Sequence, residues 1–179
     1  PPQPAPARPP SCLRAEMARA RTAGGAVAAG HPLTARAAAE ILREGGNAFD
    51  AAIAALWMAC IAEPVLASPG GGGFLMARAA GQGAPRLFDF FVQTPKSKPD
   101  VADVEFSAIH ADFGTTRQEF HIGAGAAAAP GMVPGLYAVH EALASLPMAR
   151  LTEMAAEAAA TGIEVTPFQA RLFEIVAPI

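Results

Sequence analysis

The run Ser68-Pro69-Gly70-Gly71-Gly72-Gly73 is the stretch of this chain best suited to shaping a ligand site. Four glycines in a row open backbone conformations and close approaches that a side chain would block, and successive amides of such a run can cradle an anion. A phosphate loop needs a Lys followed by Ser or Thr and then a helix, whereas Phe74-Leu75-Met76-Ala77-Arg78 follows here and reads as a strand. A close backbone crossing or a pocket wall therefore stands level with anion binding, and a plain structural turn is the simplest of these readings. Gly123-Ala124-Gly125-Ala126-Ala127-Ala128 fits G-x-G-x-x-A after a strand-like segment. The dinucleotide fingerprint must open a helix and be followed about 20 residues later by an acidic residue ending a second strand. Ala129-Pro130-Gly131 interrupts any helix at once, and Glu141, near that distance, falls within a helical pattern.

The remaining reactive side chains do not assemble into a catalytic set. His110, Asp112 and His121 have the right chemistry for a metal, but their spacing matches no standard ligand motif, so surface or core roles and no metal are expected. His31 precedes a helix and His140 lies on a helix surface. Ser68 has neither a G-x-S-x-G elbow nor a Ser-x-x-Lys pair around it. Cys12 and Cys60 make no disulfide framework, and Cys60, in an apolar run, reads as a buried reduced thiol. No cofactor is implied.

Several elements are legible around these residues. Six of the first ten residues are proline, which removes backbone donors and makes an extended or disordered arm of the start, with the lead-in reaching residue 23. A short strand over 26–29 leads into a helix with Pro32 at its first position, the apolar stripe Leu33, Ala37 and Ile41, and Gly45-Gly46 as a left-handed stop. That pattern predicts an amphipathic surface helix. Asn47 then caps a second helix, with Asp50 placing negative charge at the positive end of the dipole, and 51–62 is apolar on every side and so belongs inside. Strands over 74–78 and 86–92 form an antiparallel hairpin around a turn at 81–85. Residues 100–116 show no clear period and read as loop, 117–122 as a strand, and 123–135 as a small-residue connector. Leu136, Val139, Leu143 and Leu146 define a helix stopped by Pro147. Leu151, Met154, Ala155 and Ala158 define another stopped by Gly162, and Thr166-Pro167-Phe168-Gln169 is a capping box opening a last helix.

Composition narrows the classes further. Of 179 residues, 52% are hydrophobic and 16% charged, too apolar for a disordered chain. The 44 alanines favour closely packed helices, while only 7% aromatics leave few large residues with which to complete a core, which hints at a missing partner. A net charge of −3 with no run of Lys or Arg provides no footprint for nucleic acid. The longest apolar stretch, 51–62, is well short of the roughly 20 residues that span a bilayer, so no membrane partner is expected. No signal peptide is visible after Pro1, which leaves cytoplasm and periplasm both open.

Taken in order, His31-Pro32-Leu33, Gly45-Gly46-Asn47-Ala48-Phe49-Asp50-Ala51-Ala52, Glu63-Pro64, Gly70-Gly71-Gly72-Gly73-Phe74 and Ala129-Pro130-Gly131-Met132-Val133-Pro134-Gly135-Leu136 resemble the γ-glutamyltranspeptidase family. Leu146-Pro147 and Thr161-Gly162-Ile163-Glu164-Val165 extend the resemblance, which covers 24–173. It implies an α/β layered architecture, helices packed on a mainly antiparallel sheet, as part of the four-layer αββα sandwich of N-terminal-nucleophile hydrolases. On that reading 24–179 is the N-terminal part of a large subunit. The family precursor cuts itself, and its nucleophile is the new N-terminal Thr of the small subunit, which supplies both hydroxyl and α-amine, attacks an amide and forms an acyl-enzyme. The implied partners are that small subunit and a small-molecule amide, and no catalytic residue is expected in this chain.

One departure concerns the substrate. The family pattern of Asp, aromatic, Arg, Glu and then Pro is here Asp89-Phe90-Phe91-Val92-Gln93-Thr94-Pro95. Phe91 stands where the Arg that holds the γ-glutamyl α-carboxylate would be, and Val92 where the Glu would be, so the bidentate clamp is gone. The expected substrate-binding residues are Phe91, Val92 and Gln93, with Gly70, Gly71, Gly72 and Gly73 as the adjoining loop. An apolar acyl group, or a substrate oriented by other residues, is one reading of the change, and a strand whose side chains simply pack is the other. A non-catalytic module binding a small ligand or nucleotide through its glycine loops, and a structural fragment kept for assembly, remain as alternatives.

Overall fold

The computed structural model describes residues 21–22, 25–81, 83–97 and 100–178. The proline-rich stretch and Cys12 lie outside them. The elements in chain order are β1 (Arg21–Thr22), β2 (Gly25–Ala26), α1 (Pro32–Arg43), α2 (Ala48–Ala62), β3 (Phe74–Ala77), β4 (Arg86–Asp89), β5 (Ser107–Asp112), β6 (Arg117–Ile122), α3 (Met132–Leu143), α4 (Met148–Thr161) and α5 (Pro167–Val176), with 3₁₀ turns at Val101–Asp103 and Ala124–Ala126.

The second helix, α2, is the central rod. It has no polar stripe, and no residue from Phe49 to Glu63 is exposed, because α1, α3 and α4 all pack on it. Ile41, Ile53, Met58, Leu136, Val139 and Leu151 are its fully buried large neighbours and members, each worth about 1.5–3 kcal/mol of burial. Alanines at 35, 37, 38, 39, 51, 54 and 62 let these helices approach closely. For the same reason α1, amphipathic as its pattern predicts and with Arg36 and Arg43 exposed, buries a broader face than the stripe of Leu33, Ala37 and Ile41. Thr34, Ala35, Ala37, Ala38, Ala39 and Ile41 are all buried, since small residues on its flanks sink into α2 as readily as the apolar stripe does.

The ends of α2 are tied to distant parts of the chain. Asn47 Oδ1 accepts from the amides of Phe49 and Asp50, and the Asp50 carboxylate accepts from the Asn47 amide, completing a capping box. The same carboxylate, fully buried, accepts from the Ser145 amide at 2.9 Å, the Ser145 hydroxyl at 2.5 Å and the Leu146 amide at 3.1 Å. Asn47 Nδ2 donates to Leu143 O and His140 Nε2 bonds Leu146 O. This explains why α3 ends at Leu143 and not at Pro147: the polar groups of α2 take the chain's amides and carbonyl from there on. At the other end, Gln169 Nε2 donates to Ala62 O while Gln169 Oε1 accepts from Thr166 N, so one buried side chain caps both α2 and α5. Just beyond α2, Glu63 Oε1 accepts from the Thr34 hydroxyl at 2.7 Å.

All strand pairings are antiparallel, as expected, but they form three separate two-stranded units among the described residues. The β3–β4 register pairs Phe74 with Asp89 and Ala77 with Arg86. Three further differences from the sequence reading have local causes. Of the 26–29 strand only Ala26 is paired, as part of β2 with β1. Ser107–Asp112, read as loop, is a strand: its own alternation is weak, but full backbone pairing with β6 stabilises it. The connector at 123–135 holds a 3₁₀ turn and the first turn of α3, opened by Gly131. No helix among the described residues is long and apolar enough to cross a membrane.

Candidate functional site

The glycine run is a crossing point of three backbones. Gly73 and Phe90 exchange amide-to-carbonyl bonds of 3.3 and 3.0 Å, and Gly71 O accepts from the amides of Gly131 and Met132, both at 2.9 Å. Gln93 and Ala129 form an antiparallel bridge with bonds of 3.1 and 2.7 Å. Residues 70–73, 90–93 and 129–132 are thus held in one layer. A Cβ at Gly72 would lie 2.6 Å from Phe90 O and 2.6 Å from Val92 N, so only glycine permits this crossing. The amides of Gly70 and Gly71 go to Ser68 Oγ and Ser68 O, so three of the four glycine amides are already committed inside the protein. This geometry favours the crossing over an anion cradle.

Gly131 and Gly135, four residues apart and so on one face of the first turn of α3, belong to the resembling segment but were given no contact by the sequence reading. A Cβ at either would come under 3.0 Å from Phe90, at its carbonyl and its ring respectively. The signal was present in the spacing of Pro130-Gly131 and Pro134-Gly135, since a repeated small residue at i and i+4 marks a helix face under close approach.

The expected substrate-binding residues lie at this junction. Phe91 donates its amide to Asp89 Oδ1 at 3.0 Å and stacks on Phe74, with ring centroids 5.5 Å apart and planes 10° from parallel. Val92 is half-buried, while Gln93 is exposed and folds its side-chain amide back to Phe91 O at 3.4 Å. The hairpin has two unlike faces. Leu75, Phe88 and Phe90 turn to the helices, whereas Phe74, Met76, Leu87 and Phe91 turn away and are each more than half exposed. Phe74 was read as a strand residue and as part of the resembling motif, with no role at the substrate site.

The other candidates are not drawn into the junction. His110 and His121 flank Glu119 on β5–β6, each Nε2 3.6 Å from a carboxylate oxygen, and His121 stacks on Phe106 at 4.1 Å. Asp112 pairs with Arg117 at the end of the hairpin. Among the described residues, no three His, Cys, Asp or Glu side chains converge as a metal site. Gly123–Ala128 opens one 3₁₀ turn and not a helix, with the Gly125 amide bonded to Glu105 O. His31 Nδ1 accepts from Leu33 N as the N-cap of α1, so its role is local. His140 is a tie to Leu146 more than a surface residue. Burial pushes the half-buried Cys60 thiol up, away from the reactive thiolate.

A model of the family described as "Gamma-glutamyltranspeptidase" matches residues 34–177. The chain is 34% identical over 145 residues to the acylase ACY 1 proenzyme of Pseudomonas sp. strain V22, covering 80% of this chain and 26% of that protein. It is 34% identical over 147 residues to the glutathione hydrolase proenzyme of Pseudomonas aeruginosa, covering 82% of this chain and 25% of that one. Among solved structures, the γ-glutamyltranspeptidase of Pseudomonas nitroreducens superposes with a TM-score of 0.70 at 30% identity, over 86% of this chain and 44% of that chain. The chain therefore spans about a quarter of the length of the curated relatives it matches. With a family model over most of its length and relatives at 34% identity, the chain belongs to the γ-glutamyltranspeptidase family.

Proposed function

We propose that this chain is the large-subunit portion of a self-processing threonine amidohydrolase or acyltransferase. A separate segment would carry the nucleophilic N-terminal Thr, whose hydroxyl attacks an amide carbonyl while its α-amine takes the proton. The resulting acyl-enzyme passes its acyl group to water or to an amine. The share of the relatives' length that this chain covers, and their names as proenzymes, support a second segment.

The observation that carries the reading is the convergence of Gly70–Gly73 with Phe91, Val92 and Gln93 at one backbone crossing. There Phe91–Gln93 would line the acyl site and the glycine loop would border it. Relatives named acylase and glutathione hydrolase match at the same 34% identity, so overall similarity does not choose the substrate. The side chains at the junction support an uncharged acyl group over γ-glutamyl, since Phe91 and Val92 stand in place of a charged clamp. Intact-mass analysis of the full precursor tests the mechanism. Two fragments are expected, the second starting with Thr, and a precursor that stays whole would rule it out.

A further inference from the structure

Phe74 and Phe91 are stacked nearly parallel, yet 61% and 51% of their surfaces stay open. Their spacing is set by the crossing: Phe74 directly follows Gly73, Phe91 directly follows Phe90, and Gly73 and Phe90 are bonded to each other. Met76 and Leu87, directly opposite one another in the β3–β4 register, extend the same face. The cation nearest in the hairpin's register, Arg86, is turned to the other face, 4.3 Å over the Phe88 ring. Asp89, directly opposite Phe74 and bonded to the Phe91 amide, is the charge beside the pair, so this face accepts flat uncharged groups and repels the carboxylate of an amino-acid head group, which would lose hydration beside a like charge.

From this geometry we infer that Phe74, together with Phe91, is a specificity-determining residue, forming a wall on which a flat aromatic or heteroaromatic acyl group of the substrate lies. The inference rests on the proposal above that Phe91–Gln93 line the acyl site. It goes further by naming the substrate class and a residue that the family resemblance does not assign.

The test uses the full-length processed enzyme and three p-nitroanilides: phenylacetyl, hexanoyl and L-γ-glutamyl. The phenylacetyl compound should have the highest kcat/KM, and Phe74→Leu, which keeps an apolar side chain but removes the ring, should lower the phenylacetyl-to-hexanoyl ratio about three- to tenfold, mainly through KM. Preference for the γ-glutamyl compound, or a ratio unmoved by Phe74→Leu, overturns the inference while leaving the amidohydrolase reading intact. A change in thermal stability without a change in that ratio also overturns it, since it marks the ring as packing. Should Phe74→Leu not fold, product inhibition of the unaltered enzyme decides: phenylacetate must inhibit more tightly than L-glutamate. A precursor that neither self-cleaves nor hydrolyses any of the three removes the amidohydrolase reading itself, and this inference with it.

Discussion

Asp50→Asn is the sharpest probe of how the fold holds its junction. The Asp50 carboxylate is fully buried and gathers the amides of Asn47, Ser145 and Leu146 and the Ser145 hydroxyl. In the Asn variant the side-chain carbonyl keeps the Ser145 and Leu146 amides, but the new NH₂ faces the Asn47 amide, which loses its acceptor, and the Ser145 hydroxyl must turn round to accept. One buried amide left without a partner costs about 1–3 kcal/mol, and exchanging charge-assisted bonds for neutral ones adds to that, for a total of about 2–4 kcal/mol. For a chain of this size the thermal midpoint falls about 5–15 °C. Acid supplies a second reading. Burial alone would raise the Asp50 pKa, but the bonds from Ser145, Leu146 and Asn47 outweigh it and hold the carboxyl below its ordinary value. A depressed folded pKa contributes stability above the unfolded value, about 3.9, and loses it as pH falls through the lower folded value. The gap between unaltered protein and variant, measured by urea unfolding, should therefore be full at neutral pH and shrink below about pH 4. Equal midpoints at neutral pH, or a gap that persists undiminished in acid, would refute the account.

Other expectations follow from the same contacts. Gly131→Ala puts a methyl group against the Phe90 carbonyl, a backbone atom that cannot swing aside, and should cost about 2–3 kcal/mol, whereas Gly83→Ala, with nothing within 4 Å, should leave the unfolding midpoint in place. Gln169→Glu keeps the acceptor for Thr166 N but removes the donor to Ala62 O, so amide exchange in α5 should accelerate by about tenfold or more while α2 stays protected. Phe91→Arg in the full enzyme should improve turnover of γ-glutamyl amides, and an unchanged rate would mean that residue 91 does not face the acyl group.

The helices were legible in the sequence because each carries local punctuation. Asn47 and Thr166 as caps, Pro32 and Pro167 at first positions, and Gly45 and Gly162 at positive φ are read from single residues and recur as such in the structure. The long-range ties were not legible. Asp50 reads as a dipole partner at its own helix end, and nothing local announces that Ser145, 95 positions on, completes its coordination. Nor did the 107–112 strand announce itself, since its stability lies in pairing with 117–122 and not in its own alternation. At the junction the sequence pointed to Gly70–Gly73 and Phe91–Gln93 separately. That they meet, with Gly131 and Gly135 closing on Phe90, depends on three chain segments crossing, which no single window contains.

The same composition that makes the core small makes the junction aromatic. Ala-rich faces on α1 and α2 bring backbones together, and glycines 72, 131 and 135 do the same around Phe90, so Phe88 and Phe90 are the phenylalanines classed as buried among the described residues. Phe91 alternates with Phe88 and Phe90 along β4 and its extension, as Phe74 does with Leu75 and Ala77 along β3, and the two-residue period of a strand turns both to the opposite face. Tight helix packing on one side of the hairpin and an open aromatic pair on the other are therefore one arrangement. A substitution that overpacks the helical side, such as Gly135→Val against the Phe90 ring, should be felt at Phe91 through the single peptide that joins them.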